Sequence, residues 1–141
     1  MINIAICDDF PVFREIIETF IRQYAEKSNN ILNIWQFDSG EELIDLLNKE
    51  NISFDLLFLD CFMKKLTGLE TAKRIRQLEH NGFRPACSIV FVTSSDNTYD
   101  LMSVQPLKVV RKPVSQVIIN EILAHVLSEK NKIAVSSEKN H

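Results

Sequence analysis

Glycine is scarce in this chain: Gly40, Gly68 and Gly82 are the three present among 141 residues. None follows the first apolar run, so no Gly-rich loop is available to cradle the phosphates of a nucleotide or flavin. No apolar stretch approaches the ~20 residues of a membrane span, and no basic n-region precedes an apolar segment at the N-terminus. A cytoplasmic protein without membrane contact is the expectation. Basic stripes are missing too. Lys and Arg are scattered and the formal net charge is −3, which argues against direct nucleic acid binding by this segment. The cysteines, Cys7, Cys61 and Cys87, are odd in number, lack metal-type spacing and sit in or beside apolar runs, where cysteine behaves as a small hydrophobe.

What the chain does contain is enough apolar residue for one core: 45% of it is hydrophobic, including nine phenylalanines. A chain of this length builds a single domain. Its apolar period switches repeatedly between short continuous runs and helical spacing, the mark of strands alternating with helices about a parallel sheet. Strands are predicted at Ile2–Cys7, Ile31–Phe37, Phe54–Asp60, Cys87–Val92 and Leu107–Arg111. The third is apolar at nearly every position, which suits a central strand covered on both faces.

Between the strands, Pro11 opens a helix whose apolar residues are Val12, Phe13, Ile16, Ile17, Phe20, Ile21 and Tyr24, with Pro fitting the first turn. Ser39 with Glu42, and Thr67 with Glu70, have capping-box spacing for two further helices. Ser95–Val104 gives a weak helical pattern, and Ser115 can cap a last helix carrying Ile119, Ile122, Leu123 and Val126. The composition turns polar after Ser128. Residues 1–128 therefore read as one domain and 129–141 as a polar tail or the start of an interdomain linker.

Right-handed crossovers with five strands favour a doubly wound α/β sheet of order 2-1-3-4-5, with its switch point between the first and third strands. Asp8 and Asp9 end the first strand and Asp60 ends the third, so three carboxylates converge at that point. Two carboxylates about 4 Å apart repel by roughly 4 kcal/mol at an effective dielectric of about 20, so such a cluster calls for a cation. A hard divalent ion with oxygen ligands is the natural choice. Thr93 ends the fourth strand and Lys112 the fifth, adding a hydroxyl and an ammonium. Carboxylates for Mg²⁺, one nucleophilic carboxylate, a hydroxyl and a cation suit phosphoryl transfer. The lone Asp60 is the expected nucleophile, the Asp8–Asp9 pair the expected metal ligands, and the loop at Phe62 can add a backbone carbonyl.

Cys7-Asp8-Asp9-Phe10-Pro11, Leu59-Asp60 with Met63 and Gly68-Leu69-Glu70, Val92-Thr93-Ser94, and Arg111-Lys112-Pro113 together resemble the receiver domain of two-component response regulators. The likeness covers residues 1 to about 128. It implies a flavodoxin-like fold and a signalling module that catalyses only its own phosphorylation and dephosphorylation. It implies that Asp60 accepts a phosphoryl group from a histidine kinase, that Asp9 and the Phe62 carbonyl contact Mg²⁺, and that Asp8 acts through water. Thr93 would sense the phosphoryl group, Lys112 would pair with it, and the Lys112–Pro113 bond would be cis. Gln105-Pro106-Leu107 ahead of the lysine is most similar to receivers that precede a LytTR-type DNA-binding domain, here absent, with control of transcription as the output. Homodimerisation on phosphorylation is a further implication.

Three departures qualify the likeness. Phe10 stands where the family often carries a third acid, Val109 where it carries an aromatic residue, and Lys64-Lys65 where small and proline residues are common. Phe10 and Val109 lean toward a pseudo-receiver, an interaction module never phosphorylated; the intact acid, hydroxyl and lysine set opposes it. An aspartyl-phosphate hydrolase would need an acid at the position of Phe62. Cys61, beside the crevice, is open to a redox-sensing reading or a structural one. Arg14, Lys64 and Lys65 are expected on solvated faces near the mouth, and His80, His125 and His141 at the periphery.

Overall fold

Strand and helix alternate along the chain as the shifting apolar period requires. The computed structural model describes residues 1–139. Its elements are β1 (Ile2–Cys7), α1 (Pro11–Ser28), β2 (Leu32–Phe37), α2 (Gly40–Lys49), β3 (Leu56–Asp60), α3 (Gly68–Leu78), β4 (Ser88–Thr93), β5 (Lys108–Arg111) and α4 (Gln116–Lys139). The strands are all parallel and run in the order β2-β1-β3-β4-β5. His141 lies outside the described residues.

Local chemistry sets the helix ends. Pro11 occupies the first turn of α1, where its missing N–H costs nothing. At α3 the Thr67 hydroxyl accepts from the Glu70 N–H at 3.1 Å and the Glu70 carboxylate accepts from the Thr67 N–H at 3.2 Å, a complete capping box. At α2 only half the box forms. Ser39 Oγ accepts from the Glu42 N–H, but the Glu42 carboxylate takes the Asp38 N–H instead of that of Ser39.

The alternation of side chains along each strand splits the core in two. Ala5, Cys7, Leu57, Leu59, Ile89 and Phe91 face α2 and α3. Ile4, Ile6, Leu56, Phe58, Val90, Val92 and Val110 face α1 and α4, where they meet Ile17, Ile21, Ile119 and Leu123. Burial of each such side chain contributes about 1.5–3 kcal/mol before chain entropy is counted. The even-numbered row of β3 thus runs Leu56, Phe58, Asp60, so Asp60 continues the α1/α4 side at the strand's carboxyl end.

The structure corrects two expectations and extends the last helix. Seven apolar residues on α1 form a stripe wider than the sheet covers: Ile17 and Ile21 are buried, whereas Val12, Phe13 and Ile16 remain exposed. The segment 95–104 forms only a 3-10 helix, Tyr99–Val104. Its first residues make local bonds instead, Ser95 N–H to Thr93 Oγ1 and Asn97 N–H to Ser95 Oγ, the competition by which Ser and Thr hold a backbone out of a helix. Finally, α4 continues through the polar stretch after Ser128 to Lys139. Lys130 pins it, donating to the Met1 carbonyl and the Asp55 carboxylate at the far end of the sheet.

Candidate phosphoryl-transfer site

The carboxyl ends of β1 and β3 lie side by side, with Cys7 paired to Leu59. Asp8, Asp9 and Asp60 therefore converge, each placing one carboxylate oxygen within 4.8 Å of the others. Asp8 and Asp60 are buried. The Phe10 N–H donates to Asp8 Oδ1 at 2.9 Å, and the Arg14 guanidinium donates to the Asp8 carbonyl at 2.6 Å and to Gln36 at 3.0 Å. Arg14 is thus half-buried and ties β1 to β2, not a solvated side chain as its position in the sequence suggested.

Lys112 arrives from the end of β5, across the sheet. Its N–H bonds the Thr93 carbonyl at 2.8 Å, and its Nζ lies 3.3 Å from Asp60 Oδ1 and 3.4 Å from Asp8 Oδ2. The Lys112–Pro113 peptide is cis. Burial raises the Asp60 carboxyl from its ordinary 3.8 to about 6, the neighbouring Asp8 charge adds to the rise, and Lys112 with the Phe62 N–H opposes it. One cation does not balance three acids. Asp9 Oδ1 is buried with no hydrogen-bond partner, the state of an oxygen awaiting a cation. Clustered carboxylate oxygens and one orphan fit Mg²⁺, which takes oxygen ligands.

Thr93 is buried at the end of β4, its hydroxyl oxygen accepting from the Ser95 N–H at 3.0 Å. The Phe62 side chain is exposed in the loop that follows Asp60. All three cysteines are buried and free. Burial pushes the Cys61 thiol up, and raises Cys87 to about 12. These are neutral thiols, which disfavours the redox reading of Cys61. His80 and His125 are exposed, as are Lys64 and Lys65.

Gly68 positions the loop behind Asp60. A Cβ there would collide with the Asp60 carbonyl oxygen and lie 2.9 Å from Cys61 Cα. Backbone cannot yield as a flexible side chain does. Gly68→Ala is accordingly expected to lower stability by about 1–3 kcal/mol, read from urea unfolding.

Sequence reasoning missed the contact of Phe13 with Lys112. Its ring centroid lies 4.0 Å from Lys112 Nζ, yet its place in an apolar helical stripe signalled only core. Arg14, one residue on, gave no signal beyond its charge.

Comparison with known proteins gives the family and the fold. The family model "Response regulator receiver domain" matches residues 4–124. The transcriptional regulatory protein BtsR of Escherichia coli is 28% identical over 138 residues, 96% of this chain and 52% of that protein. The response regulatory domain of mrkE from Klebsiella pneumoniae superposes with a TM-score of 0.77 at 20% identity, covering 92% of this chain and 98% of that one. TrrA from Thermotoga maritima, solved in complex with Mg²⁺–BeF, gives 0.71 at 24% identity, with 89% and 99% covered. The chain spans about half the length of the curated relatives it matches. With its sheet order, its five strand-end residues and a family match over most of its length, the chain belongs to the response regulator receiver domains of two-component systems.

Proposed function

We propose that this receiver accepts a phosphoryl group on Asp60 from a histidine kinase and uses it to change what one face of the domain binds. The observation that carries the reading is the meeting of Asp8, Asp9 and Asp60 within 4.8 Å, with the Lys112 ammonium 3.3–3.4 Å from two of them. In the transfer, an Asp60 oxygen attacks phosphorus. The bond from phosphorus to the donor's imidazole nitrogen breaks, and that nitrogen keeps the electron pair.

The residues divide the work by charge. Asp9, Asp60 and the Phe62 carbonyl would hold Mg²⁺, with Asp8 assisting through water. The ion, when bound, neutralises charge on the phosphoryl oxygens. Lys112 supplies a second positive charge from the protein itself. Thr93, whose hydroxyl oxygen accepts from the Ser95 N–H, would donate its own O–H to a phosphoryl oxygen and draw in the loop leading to the 3-10 helix. The surface of the 3-10 helix, β5 and α4 then changes shape. Val109 is half-buried against the core, so the rearrangement proceeds without an aromatic side chain at that position.

Such a module turns over no external substrate. The continuation of α4 past residue 128 serves as the connector to an output domain of the LytTR type controlling transcription, and phosphorylation promotes pairing of two copies. A cytoplasmic setting fits a kinase partner; among the described residues no helix is long and apolar enough to cross a membrane.

Beryllofluoride with Mg²⁺ tests the reading. Amide resonances of residues 93–98 should shift in the native protein, and should stay in place in Asp60→Asn and Asp9→Asn. Unchanged native spectra at saturating reagent would instead support a phosphorylation-independent interaction module.

A further inference from the structure

We infer that Phe13, backed edge-on by Phe10, is a positioning residue that holds the Lys112 ammonium over the phosphoryl pocket. The inference rests on the phosphoryl-accepting reading above, and names what keeps the Lys112 ammonium in place.

The geometry has three parts. The Phe13 ring centroid lies 4.0 Å from Lys112 Nζ, while that same nitrogen is 3.3 Å from Asp60 Oδ1 and 3.4 Å from Asp8 Oδ2. The ammonium is therefore held between two carboxylates and an aromatic ring, and the lysine side chain retains only 17% exposure. Phe10 meets Phe13 at 5.9 Å and 89°, an edge-to-face pair. Residue 10 is itself fixed beside the site, because its N–H donates to Asp8 Oδ1.

Neither ring belongs to the core: Phe10 is 59% and Phe13 37% exposed. Phe10 gains little from burial, whereas Phe13 is more fully covered. Phe13 gains the cation in addition, since the face of an aromatic ring carries negative potential that attracts an ammonium. A third carboxylate in place of Phe10 would offer the lysine a competing anion outside the pocket. The neutral ring pair leaves Asp8 and Asp60 as the anions Lys112 contacts.

Once Asp60 becomes an acyl phosphate its carboxylate charge is gone, and the Lys112–Asp60 contact loses its partner. The contact with Phe13 does not depend on the state of Asp60. It retains the ammonium at the pocket, where a phosphoryl oxygen takes the place of the carboxylate.

The test compares Phe13→Leu with Phe13→Tyr and Phe13→Trp. Leucine keeps an apolar side chain and removes the ring; the other two keep a π face. In the native protein the Lys112 Cε protons should be shifted upfield by the ring, a signature that needs no metal or phosphoryl analogue. Phe13→Leu should abolish that shift and weaken beryllofluoride binding in Mg²⁺ by about fivefold, in keeping with an exposed cation–π contact. Tyr and Trp should restore both. Unshifted lysine protons in the native protein, equal affinity in Phe13→Leu, or equal weakening in all three variants would each overturn the positioning role. A native protein that shows the ring shift but fails to bind beryllofluoride would refute the phosphoryl reading, and with it the role at that pocket.

Discussion

Asp60→Asn is expected to make the metal-free protein more stable, by about 2–3 kcal/mol at pH 7.5, or about 5–10 °C in melting temperature. Asp60 is 4% exposed and its carboxyl is raised to about 6, first by burial and then by the charge of Asp8. A carboxyl whose folded pKa exceeds its unfolded value binds its proton more tightly in the native state. Stability contributed by that proton is present at low pH and is lost as pH rises from about 3.8 to about 6. Above that window the native protein carries the full cost of the charge. Asparagine removes the cost, so the gain over the native protein should be large at pH 7.5 and small near pH 4. Thermal unfolding at both pH values in a chelator reads the difference; a gain independent of pH would show that charge is not its origin.

Lys112→Met should have the opposite sign and a comparable size. Methionine keeps much of the apolar stem and removes the ammonium that lies 3.3–3.4 Å from Asp60 and Asp8. A buried charge deprived of its partner costs more than the pair contributes, so a loss of about 2–4 kcal/mol is expected at pH 8. Lys112 is one of the groups that lower the Asp60 pKa, and without it the carboxyl rises further. Protonation then relieves the defect, and the loss should shrink as pH falls toward 5. Urea unfolding at pH 8 and pH 5 checks both the magnitude and its direction with pH. A loss equal at the two values would point to packing.

Opposed effects of these two substitutions would mark a site maintained against stability. Asp60 costs free energy where it stands and Lys112 offsets part of it. The unpartnered oxygen of Asp9 marks a further share left uncompensated by the protein. Sites of this kind are stabilised by whatever binds them.

The parts of this account that could be read from the chain are those where one physical rule dominates. Leu56–Leu59 is apolar without interruption, which only a central strand tolerates, and the acid that ends it must then lie at the sheet's carboxyl edge. The same logic placed Asp8, Thr93 and Lys112, because period and turn chemistry agree at the ends of β1, β4 and β5. Reading failed where tertiary contact decides. Phe13 and Ile16 carry helical spacing indistinguishable from that of Ile17 and Ile21, yet only the latter two are buried. Arg14 looks like any surface arginine until Gln36 and the Asp8 carbonyl are brought beside it. The polar run after Ser128 contains good helix formers, and Lys130 within it meets residues 1 and 55, a contact that no local pattern foretells.

Acetyl phosphate offers the most direct trial of the central claim, that Asp60 is a phosphoryl acceptor. Intact-protein mass spectrometry after incubation with acetyl phosphate and Mg²⁺ should show the mass of a single added phosphoryl group, absent when the metal is chelated and absent in Asp60→Asn. No added mass in the native protein, or the same addition in Asp60→Asn, would contradict it.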